Sequence, residues 1–191
     1  MNKLKFSSIK MIKSFERFKF KKIRSQSSLS ERNSVKENVE KFIITLDKNK
    51  WIDKFFAIYW PLKDEVDLRE LRKKYPLALP KCNSSKRIDF YIWDDTSLRK
   101  DAEGIFAPNN SDLLDSRQIS YIFVPCLSVD KKLNRLGYGG GYYDKLRANK
   151  DWRLIPCIGV LTSKCVSKSS LTKDNWDIPL SGFITDNEIF I

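Results

Sequence analysis

The sequence predicts a single α/β domain with a mostly parallel or mixed central sheet and helices on both faces. Two observations lead to this prediction. Apolar runs of strand length alternate with segments of helical spacing, and the strongest runs are apolar on both sides, as in sheets covered on both faces. The length of 191 residues suits one domain with a full core and is short for two.

The start of the chain is strongly basic, because residues 1–24 contain nine Lys or Arg and a single acidic residue, Glu16. Residues 1–12 show little regular pattern, and we expect a flexible N-terminal extension that precedes one domain over residues 13–191. Translation could also start at Met11. Residues 13–24 are expected to form a basic helix, either separate or continuous with its neighbour.

Two capping patterns predict helices. Ser28 and Glu31 form a Ser-x-x-Glu capping box that starts a core-packing helix of about four turns. Its apolar residues follow at helical spacing: Val35, Val39, Phe42, Ile43 and Leu46. The Asp-x-x-Glu pattern at residues 67–70 predicts a short helix that continues to residue 75, and residues 142–150 are expected to be helical as well.

Seven apolar runs have the length and composition of strands. They cover residues 55–60, 77–79, 88–93, 119–124, 154–161, 183–185 and 189–191. In the run at 88–93 apolar and more polar residues alternate, which indicates a strand with one face more exposed to solvent. The run at 119–124 is apolar on both sides, so we expect it in the centre of the sheet.

The composition excludes several classes of function. Histidine is absent, which excludes Ser-His and Cys-His catalysis and His-ligated metal sites. The four cysteines lie far apart and are interpreted as reduced structural thiols. No run approaches the roughly 18 apolar residues of a membrane span, and no signal-peptide core is present, so we expect a cytoplasmic protein with no membrane partner.

The net charge of +12 indicates an anionic partner. A small polyanionic substrate would account for it. A nucleic acid is the alternative, bound by residues 1–24 with interleaved aromatic rings, namely Phe6, Phe15, Phe18 and Phe20. We favour the small ligand, because a nucleic-acid partner leaves the glycine-rich segment without a role. Many of the lysines could also form a solvated face with no partner.

Residues 135–144, with the sequence RLGYGGGYYD, contain four of the seven glycines. Glycines allow backbone N–H groups to converge on an anion, Arg135 adds a guanidinium, and Asp144 adds a carboxylate suited to Mg²⁺. The segment lacks the ending of a Walker A motif and the Rossmann fingerprint. A flexible linker is the alternative, although linkers favour Ser and polar residues and this segment carries three tyrosines. We interpret it as a phosphate-binding loop at the carboxyl end of a central strand.

This loop and the preceding segment FVPCLSVD, at residues 123–130, resemble the signature of the 5-formyltetrahydrofolate cyclo-ligase family. The resemblance extends over about residues 13–186. It implies an enzyme of folate metabolism with ATP as co-substrate and Mg²⁺ as cofactor. We also expect the protein to be a monomer. The substrate would be 5-formyltetrahydrofolate, with or without a polyglutamate tail, and the products 5,10-methenyltetrahydrofolate, ADP and phosphate.

The resemblance assigns an ATP site to eleven residues: Lys13, Arg17, Arg135, Leu136, Gly137, Tyr138, Gly139, Gly140, Gly141, Tyr142 and Tyr143. Lys13 and Arg17 match the family's Lys-x-x-x-Arg pair, and on a helix this spacing puts both cations on one face. A chance match in so basic a region, with the pair on a solvated helix, is the alternative.

The resemblance also assigns a substrate site: Trp60, Glu65, Tyr138, Gly139, Gly140, Gly141 and Tyr142. The residues expected to act in catalysis are Arg135, Tyr142 and Asp144. Glu65 could instead be an ordinary solvent-facing residue, and the tyrosines could be plain core.

Asp144 and Asp177 match the family's magnesium ligands, and Mg²⁺ suits two carboxylates because it takes few protein ligands. Asp144 could instead serve as a helix-starting residue. Asp174 is a near neighbour that could be confused with Asp177, but the spacing to the following Ile-Pro favours Asp177. Three further positions depart from the family's pattern: Ala107, Cys126 and Val129. These departures concern the substrate side, where Ala107 removes a carboxylate, and not the ATP site.

Overall fold

The computed structural model of the protein describes residues 2–94 and 97–191, with the backbone alone for residues 2–8 and 50. The helices are α1 (Asn2–Ser25), α2 (Leu29–Thr45), α3 (Tyr142–Ala148) and α4 (Lys150–Arg153). The strands are β1 (Phe55–Ala57), β2 (Leu77–Cys82), β3 (Ile88–Ile92), β4 (Leu98–Lys100), β5 (Phe106–Pro108), β6 (Leu113–Leu114), β7 (Ile119–Pro125), β8 (Ser128–Asp130), β9 (Arg135–Leu136), β10 (Cys157–Val160), β11 (Val166–Ser167), β12 (Gly182–Ile184) and β13 (Ile189–Phe190).

Eight strands of the described chain form one mixed sheet in the order β13-β12-β10-β7-β1-β2-β3-β6. The five central strands, from β12 to β2 in that order, run parallel, and the outer strands pair antiparallel at both edges. The sheet therefore confirms the predicted α/β class. Its parallel centre brings the carboxyl ends of five strands to one edge, where α/β sheets bind ligands.

Helices cover both faces of the sheet, as the sequence predicts. Alternate residues of a strand enter opposite cores, so Phe123 packs with α2 on one face while Ile122 packs with α3 and α4 on the other. The capping box of α2 is present, because the Ser28 hydroxyl accepts from the Glu31 N–H at 3.1 Å and the Glu31 carboxylate accepts from the Ser28 N–H at 2.7 Å. This pair satisfies two backbone donors and fixes the start of the helix.

The N-terminal segment differs from the expectation of an irregular extension. Helix α1 runs without a break from Asn2 to Ser25, while Met1 lies outside the described residues. No Pro or Gly interrupts residues 2–25, so a helix that is anchored at its C-terminal end can continue to the N-terminus. The division of the chain into an extension and a domain stays a prediction.

Other differences are local. Residues 69–73 form a 3₁₀ helix where a regular helix was expected, because the Asp67 carboxylate accepts from the Arg69 N–H and guanidinium instead of capping a longer helix. The strand expected at 154–161 begins at Cys157, after Pro156. Strand β2 continues through Pro80 to Cys82, and six strands of two or three residues were not predicted: β4, β5, β6, β8, β9 and β11.

Candidate active site

The glycine-rich loop, residues 137–141, lies at the carboxyl end of the central strand β7, although it does not follow that strand directly. The antiparallel pair of β8 and β9 intervenes and returns the chain to the sheet edge. There the Arg135 guanidinium donates to the Pro125 carbonyl at 3.4 Å. Helix α3 begins immediately after the loop with Tyr142. The loop thus joins the predicted edge of the sheet to a helix N-terminus, where backbone N–H groups are free to bind an anion.

The glycines of the loop are required for two different reasons. Gly139 has φ of +101° and Gly141 has φ of +71°, a conformation that side chains with a Cβ rarely adopt. Gly140 has an ordinary φ, but a Cβ there would lie 2.7 Å from Cε2 of Tyr142. Steric exclusion by the Tyr142 ring, and not a positive φ, therefore requires glycine at position 140.

A cavity of about 300 Å³ opens between this loop, α1 and the segment around residue 176; we call it the polar cavity. Its lining residues are Lys13, Arg17, Pro125, Arg135, Leu136, Gly137, Tyr138, Gly139, Gly140, Gly141, Tyr142, Tyr143, Asp144, Asp174, Trp176 and Asp177. The structure therefore brings together all the residues predicted for ATP and both residues predicted for the metal. Three cations and three carboxylates face the same space.

Lys13 connects α1 to the C-terminal part of the cavity. Its ammonium donates to Oδ2 of Asp174 at 2.6 Å and to Oδ2 of Asp177 at 2.5 Å. Burial opposes the charge on Lys13, but these two hydrogen bonds and the charges of the carboxylates outweigh it and raise the pKa of Lys13. Lys13 is thus a buried, ion-paired cation at the cavity wall, and the alternative of a solvated basic helix is wrong for this residue.

The other two cations contact the loop itself. The Arg17 Nε donates to the Gly137 carbonyl at 3.0 Å. Arg135 lies 3.7 Å from a carboxylate oxygen of Asp144 and stacks over the ring of Tyr143 at 5.2 Å. Both residues line the polar cavity, and a guanidinium has five N–H donors that can bind phosphate oxygens in pairs.

Asp144 and Asp177 suit a Mg²⁺ ion that is also coordinated by phosphate oxygens. Among the described residues no group of three or more acidic or cysteine side chains could hold a metal by itself. Asp144 lies in the first turn of α3, and Asp177 also accepts from the Asp174 N–H at 2.8 Å. Mg²⁺ commonly uses one or two carboxylates together with phosphate oxygens and waters, so this donor set suits a nucleotide-bound ion.

A second pocket, of about 400 Å³ and largely apolar, lies on the other side of the loop; we call it the aromatic pocket. Its lining residues are Tyr59, Trp60, Leu62, Glu65, Pro80, Cys82, Ile88, Asp101, Glu103, Ile105, Pro125, Tyr138, Gly140, Tyr142 and Tyr143. It contains both residues predicted for the substrate outside the loop. Five residues line both cavities, namely Pro125, Tyr138, Gly140, Tyr142 and Tyr143, so the loop is their common wall.

Glu65 is buried at the aromatic pocket, so the alternative of a solvent-facing residue is wrong. Its carboxylate accepts from the Leu62 N–H at 2.8 Å and from Arg24 at 3.3 Å. Burial raises the pKa of Glu65, while the Leu62 N–H, the Arg24 charge and the Tyr138 hydroxyl act in the opposite direction. A buried carboxylate with partners on two sides is a fixed acceptor for donors of a ligand.

The tyrosines of the loop differ in their environment. Burial raises the pKa of Tyr138 to about 12, and both Lys21 and Arg24 lie over its ring. Burial, followed by the nearby Glu103 carboxylate, raises the pKa of Tyr142. The buried hydroxyl faces that carboxylate without a hydrogen bond of regular geometry to it or to any other described residue. An unsatisfied hydroxyl at the wall between two cavities is available to a ligand.

Sequence reasoning gave no role to several residues that line these cavities or contact their walls. Arg24 lies eleven positions after Lys13, about three helical turns, so the spacing could have placed both on one face of α1. Asp174 shares a turn with Asp177, whose N–H donates to the Asp174 carbonyl at 3.1 Å. Asp101 and Glu103 add carboxylates to the aromatic pocket, and no local pattern indicated them. They lie in the turn before β5, the strand that contains Ala107, where the family's carboxylate is missing.

Other regions fit a ligand less well. A hollow of about 610 Å³ that includes Lys54 and Arg117 lies at the amino ends of the parallel strands and contains none of the predicted site residues. Phe20 is 4% exposed and cannot stack on a base, whereas Phe15 and Phe18 are exposed and the side chain of Phe6 is outside the described part. Within residues 2–94 and 97–191, no helix has the length and apolar character of a membrane span.

Comparison with known proteins finds relatives in sequence and in fold. A curated 5-formyltetrahydrofolate cyclo-ligase from Haemophilus influenzae is 25% identical over 174 residues, 86% of this chain and 92% of that protein. The structure of 5,10-methenyltetrahydrofolate synthetase from Aquifex aeolicus superposes with a TM-score of 0.77 at 32% identity, covering 94% of this chain and 92% of that one. A 5,10-methenyltetrahydrofolate synthetase from Mycoplasma pneumoniae has the same fold, with a TM-score of 0.68 at 24% identity, covering 91% and 98% of the two chains.

The sequence model of one family extends over nearly the whole described chain. It matches residues 9–186, which include α1 from its third turn onward, the loop and both carboxylates of the C-terminal segment. The resemblance inferred from residues 123–144 is thereby confirmed. The chain belongs to the 5-formyltetrahydrofolate cyclo-ligase family.

Proposed function

We propose that the protein converts 5-formyltetrahydrofolate and ATP, with Mg²⁺, into 5,10-methenyltetrahydrofolate, ADP and phosphate. Its membership of the family supports the cyclo-ligase activity. One observation supports the two-substrate reaction above all others: the glycine-rich loop is the common wall of the polar cavity and the aromatic pocket. Two ligands bound there would meet at the loop.

The polar cavity would bind the triphosphate. Lys13, Arg17 and Arg135 would neutralise the phosphate oxygens, and the loop N–H groups would bind them directly. Asp144 and Asp177 would hold Mg²⁺, which supplies further charge neutralisation at the transferring phosphate. For Asp177 this requires Lys13 to turn from the carboxylates toward the phosphates, a small movement for a flexible side chain.

The aromatic pocket would bind the folate. A flat pterin ring fits between aromatic side chains, and Trp60, Tyr138 and Tyr142 line this pocket. Glu65 would accept the ring N–H donors, since its carboxylate is buried and fixed. Tyr142 would donate its unpaired hydroxyl to the formyl group near the wall.

The chemistry needs positioning more than acid–base catalysis. The formyl oxygen would attack the γ-phosphorus of ATP, and the bond to ADP would break. The second folate nitrogen would then attack the formyl carbon and lose its proton, and the C–O bond would break to release phosphate. Phosphorylation turns a poor leaving group into a good one, and the cations of the polar cavity stabilise the charge that develops.

The test is the formation of the methenyl product, followed by its absorbance, from 5-formyltetrahydrofolate and MgATP. We expect one ADP per product and no product without ATP or after chelation of Mg²⁺. Asp144→Asn keeps the shape but weakens the charge of the metal ligand and should lower turnover strongly. The exposed Asp151→Asn is the matched control. Absence of product from the parent protein, or full activity of Asp144→Asn at limiting Mg²⁺, would contradict the proposal.

The nucleic-acid alternative retains little support, because the basic residues Lys13, Arg17 and Arg24 face inward and bind the protein itself. Salt-sensitive binding of RNA by a protein that makes no methenyl product would favour it. The cytoplasmic location, the monomeric state and the use of polyglutamylated folates stay predictions.

A further inference from the structure

A buried arginine of α1, Arg24, contacts two residues that line the aromatic pocket. Arg24 is 8% exposed, and its guanidinium donates to Oε1 of Glu65 and to the Lys63 carbonyl, both at 3.3 Å. The guanidinium also lies over the ring of Tyr138, 5.0 Å from its centroid. Arg24 itself does not line either cavity, but both side chains that it contacts do.

Stability alone does not account for this arrangement. The Nε of Arg24 is buried with no partner among the described residues, and a buried ion pair with an unsatisfied donor contributes little to stability or lowers it. A planar guanidinium can bind a carboxylate, a carbonyl and an aromatic face together, which a lysine cannot do. The contacts therefore suit a residue that orients others.

We propose that Arg24 is a positioning residue of the substrate pocket, which fixes the Glu65 carboxylate and the Tyr138 ring in the orientation that receives the folate. This inference rests on the proposed function, because it takes the aromatic pocket as the folate site. Arg24 acts through Glu65 and Tyr138 and touches neither substrate nor nucleotide.

The charge of Arg24 also favours the ionised form of Glu65, since burial raises the pKa of this carboxyl and the guanidinium acts in the opposite direction. The titratable groups around Glu65 are Arg24 from α1, Tyr138 and Tyr143 from the loop and α3, Tyr59 after β1 and Cys126 after β7. Burial raises the pKa of Cys126 to about 12 and raises the pKa of each tyrosine, so these groups stay neutral between about pH 6 and 9. Loss of Arg24 should therefore raise the pKa of Glu65 with no compensating cation.

Steady-state kinetics would test the proposal. Arg24→Met should raise the KM for 5-formyltetrahydrofolate by about tenfold or more and leave the KM for ATP within about twofold. The rise should be larger at pH 6 than at pH 8.5, because protonated Glu65 no longer accepts from the ligand and ionises again as the pH increases. Lys21→Met removes the exposed cation over the same Tyr138 ring and is the matched control, with parent-like constants expected.

Two further measurements separate positioning from stability. In a Glu65→Gln background, Arg24→Met should raise the folate KM by a smaller factor than it does in the parent, since only the part of its effect that passes through Tyr138 remains. Arg24→Lys keeps the charge but not the planar fork, so it should keep the pH dependence of the parent and still raise the folate KM. If Arg24→Met does not fold, Arg24→Lys decides, and an unchanged folate KM in that variant overturns the proposal.

The titration of Glu65 gives a readout that does not need turnover. Carbon-13 NMR of the glutamate carboxyls, with the Glu65 signal assigned by its loss in Glu65→Gln, should show a higher pKa in Arg24→Met than in the parent. An unchanged Glu65 titration, or an equal rise of both KM values, would overturn the proposal. Absence of product from the parent would instead refute the proposed function, and the titration would still decide the role of Arg24.

Discussion

The residue with the tightest steric constraint in the loop is Gly140. A Cβ at this position would overlap the Tyr142 ring at 2.7 and 2.8 Å, and that ring lines both cavities. A substitution there displaces the ring into the space of a ligand, whichever cavity it enters. The loss should therefore appear in binding and not in folding, since little apolar area is buried by the loop itself.

Gly140→Val should abolish measurable MgATP binding by calorimetry while the melting temperature falls by only a few degrees, about 1 kcal/mol or less in stability. Gly104→Asn is the control: Gly104 has φ of +74° with open space around its Cβ position, and Asn tolerates that conformation. A Gly140→Val protein that binds MgATP as the parent does would remove the loop from the nucleotide site. A large loss of stability with intact binding would assign Gly140 to packing alone.

At the scale of elements, Phe20 holds α1 against the site. It packs with Leu127, Leu136 and Leu171, and Leu136 immediately precedes the glycine-rich loop. Phe18, two positions earlier on the same helix, is 71% exposed. Substitutions at these two phenylalanines therefore distinguish the effect of helix docking, at Phe20, from the effect of changing the residue type on the helix, at Phe18.

Phe20→Ala should lower the free energy of unfolding by about 3–5 kcal/mol in denaturant titrations, because it opens a cavity in a closed apolar cluster. It should also weaken ATP binding, since Lys13 and Arg17 reach the polar cavity only from the docked helix. Phe18→Ala, with the same loss of atoms and helix propensity, should change both quantities little. Equal effects of the two substitutions would show that α1 does not dock through Phe20.

The elements that the sequence predicted well are those with a strong local signal. The capping box at Ser28 and the apolar run at 119–124 each need only nearby residues to be recognised, and both are present. The short strands β8 and β9 have no such signal, because their pairing depends on the return of the chain to the sheet edge. The prediction started the first helix at residue 13, whereas α1 starts at Asn2. Residues 1–12 show little regular pattern, so the sequence there does not indicate where the helix begins.

The site was predictable where a motif is contiguous. The loop residues and Asp144 could be named from sequence, and the structure places them around one cavity. Arg24 was not predicted, and Asp174 was considered only as an alternative to Asp177. Their contacts are with Glu65 and Lys13, which are 41 and 161 positions away in the chain. The steric reason for glycine at position 140 could not be predicted either, since the ring that excludes a Cβ is visible only in three dimensions.

At the scale of the whole molecule, one continuous helix, α1, supplies residues to the walls or supporting contacts of both cavities. Lys13 and Arg17 contact the polar cavity, and Arg24 contacts Glu65 at the aromatic pocket. One alanine inserted between Phe18 and Lys19 should rotate the N-terminal part of α1 by about 100° relative to Phe20 and Arg24. Lys13 and Arg17 would then leave the polar cavity while the docked end stays in place.

This insertion should raise the KM for ATP at least tenfold and leave the KM for the folate and the melting temperature near those of the parent. The same alanine inserted after Ile9 keeps residues 13–24 in register and is the matched control. Parent-like ATP kinetics after the first insertion would show that Lys13 and Arg17 do not bind the phosphates.

The spacing along α1 also has a consequence for evolution. Eleven residues of helix amount to a rod of about 16 Å whose length and rotation cannot be adjusted separately. Surface loops generally tolerate changes of length, whereas an insertion or deletion between Lys13 and Arg24 should remove one of the two contacts. We therefore expect relatives to vary in the sequence of this helical segment and to keep its length, because that length sets the separation of the two substrates.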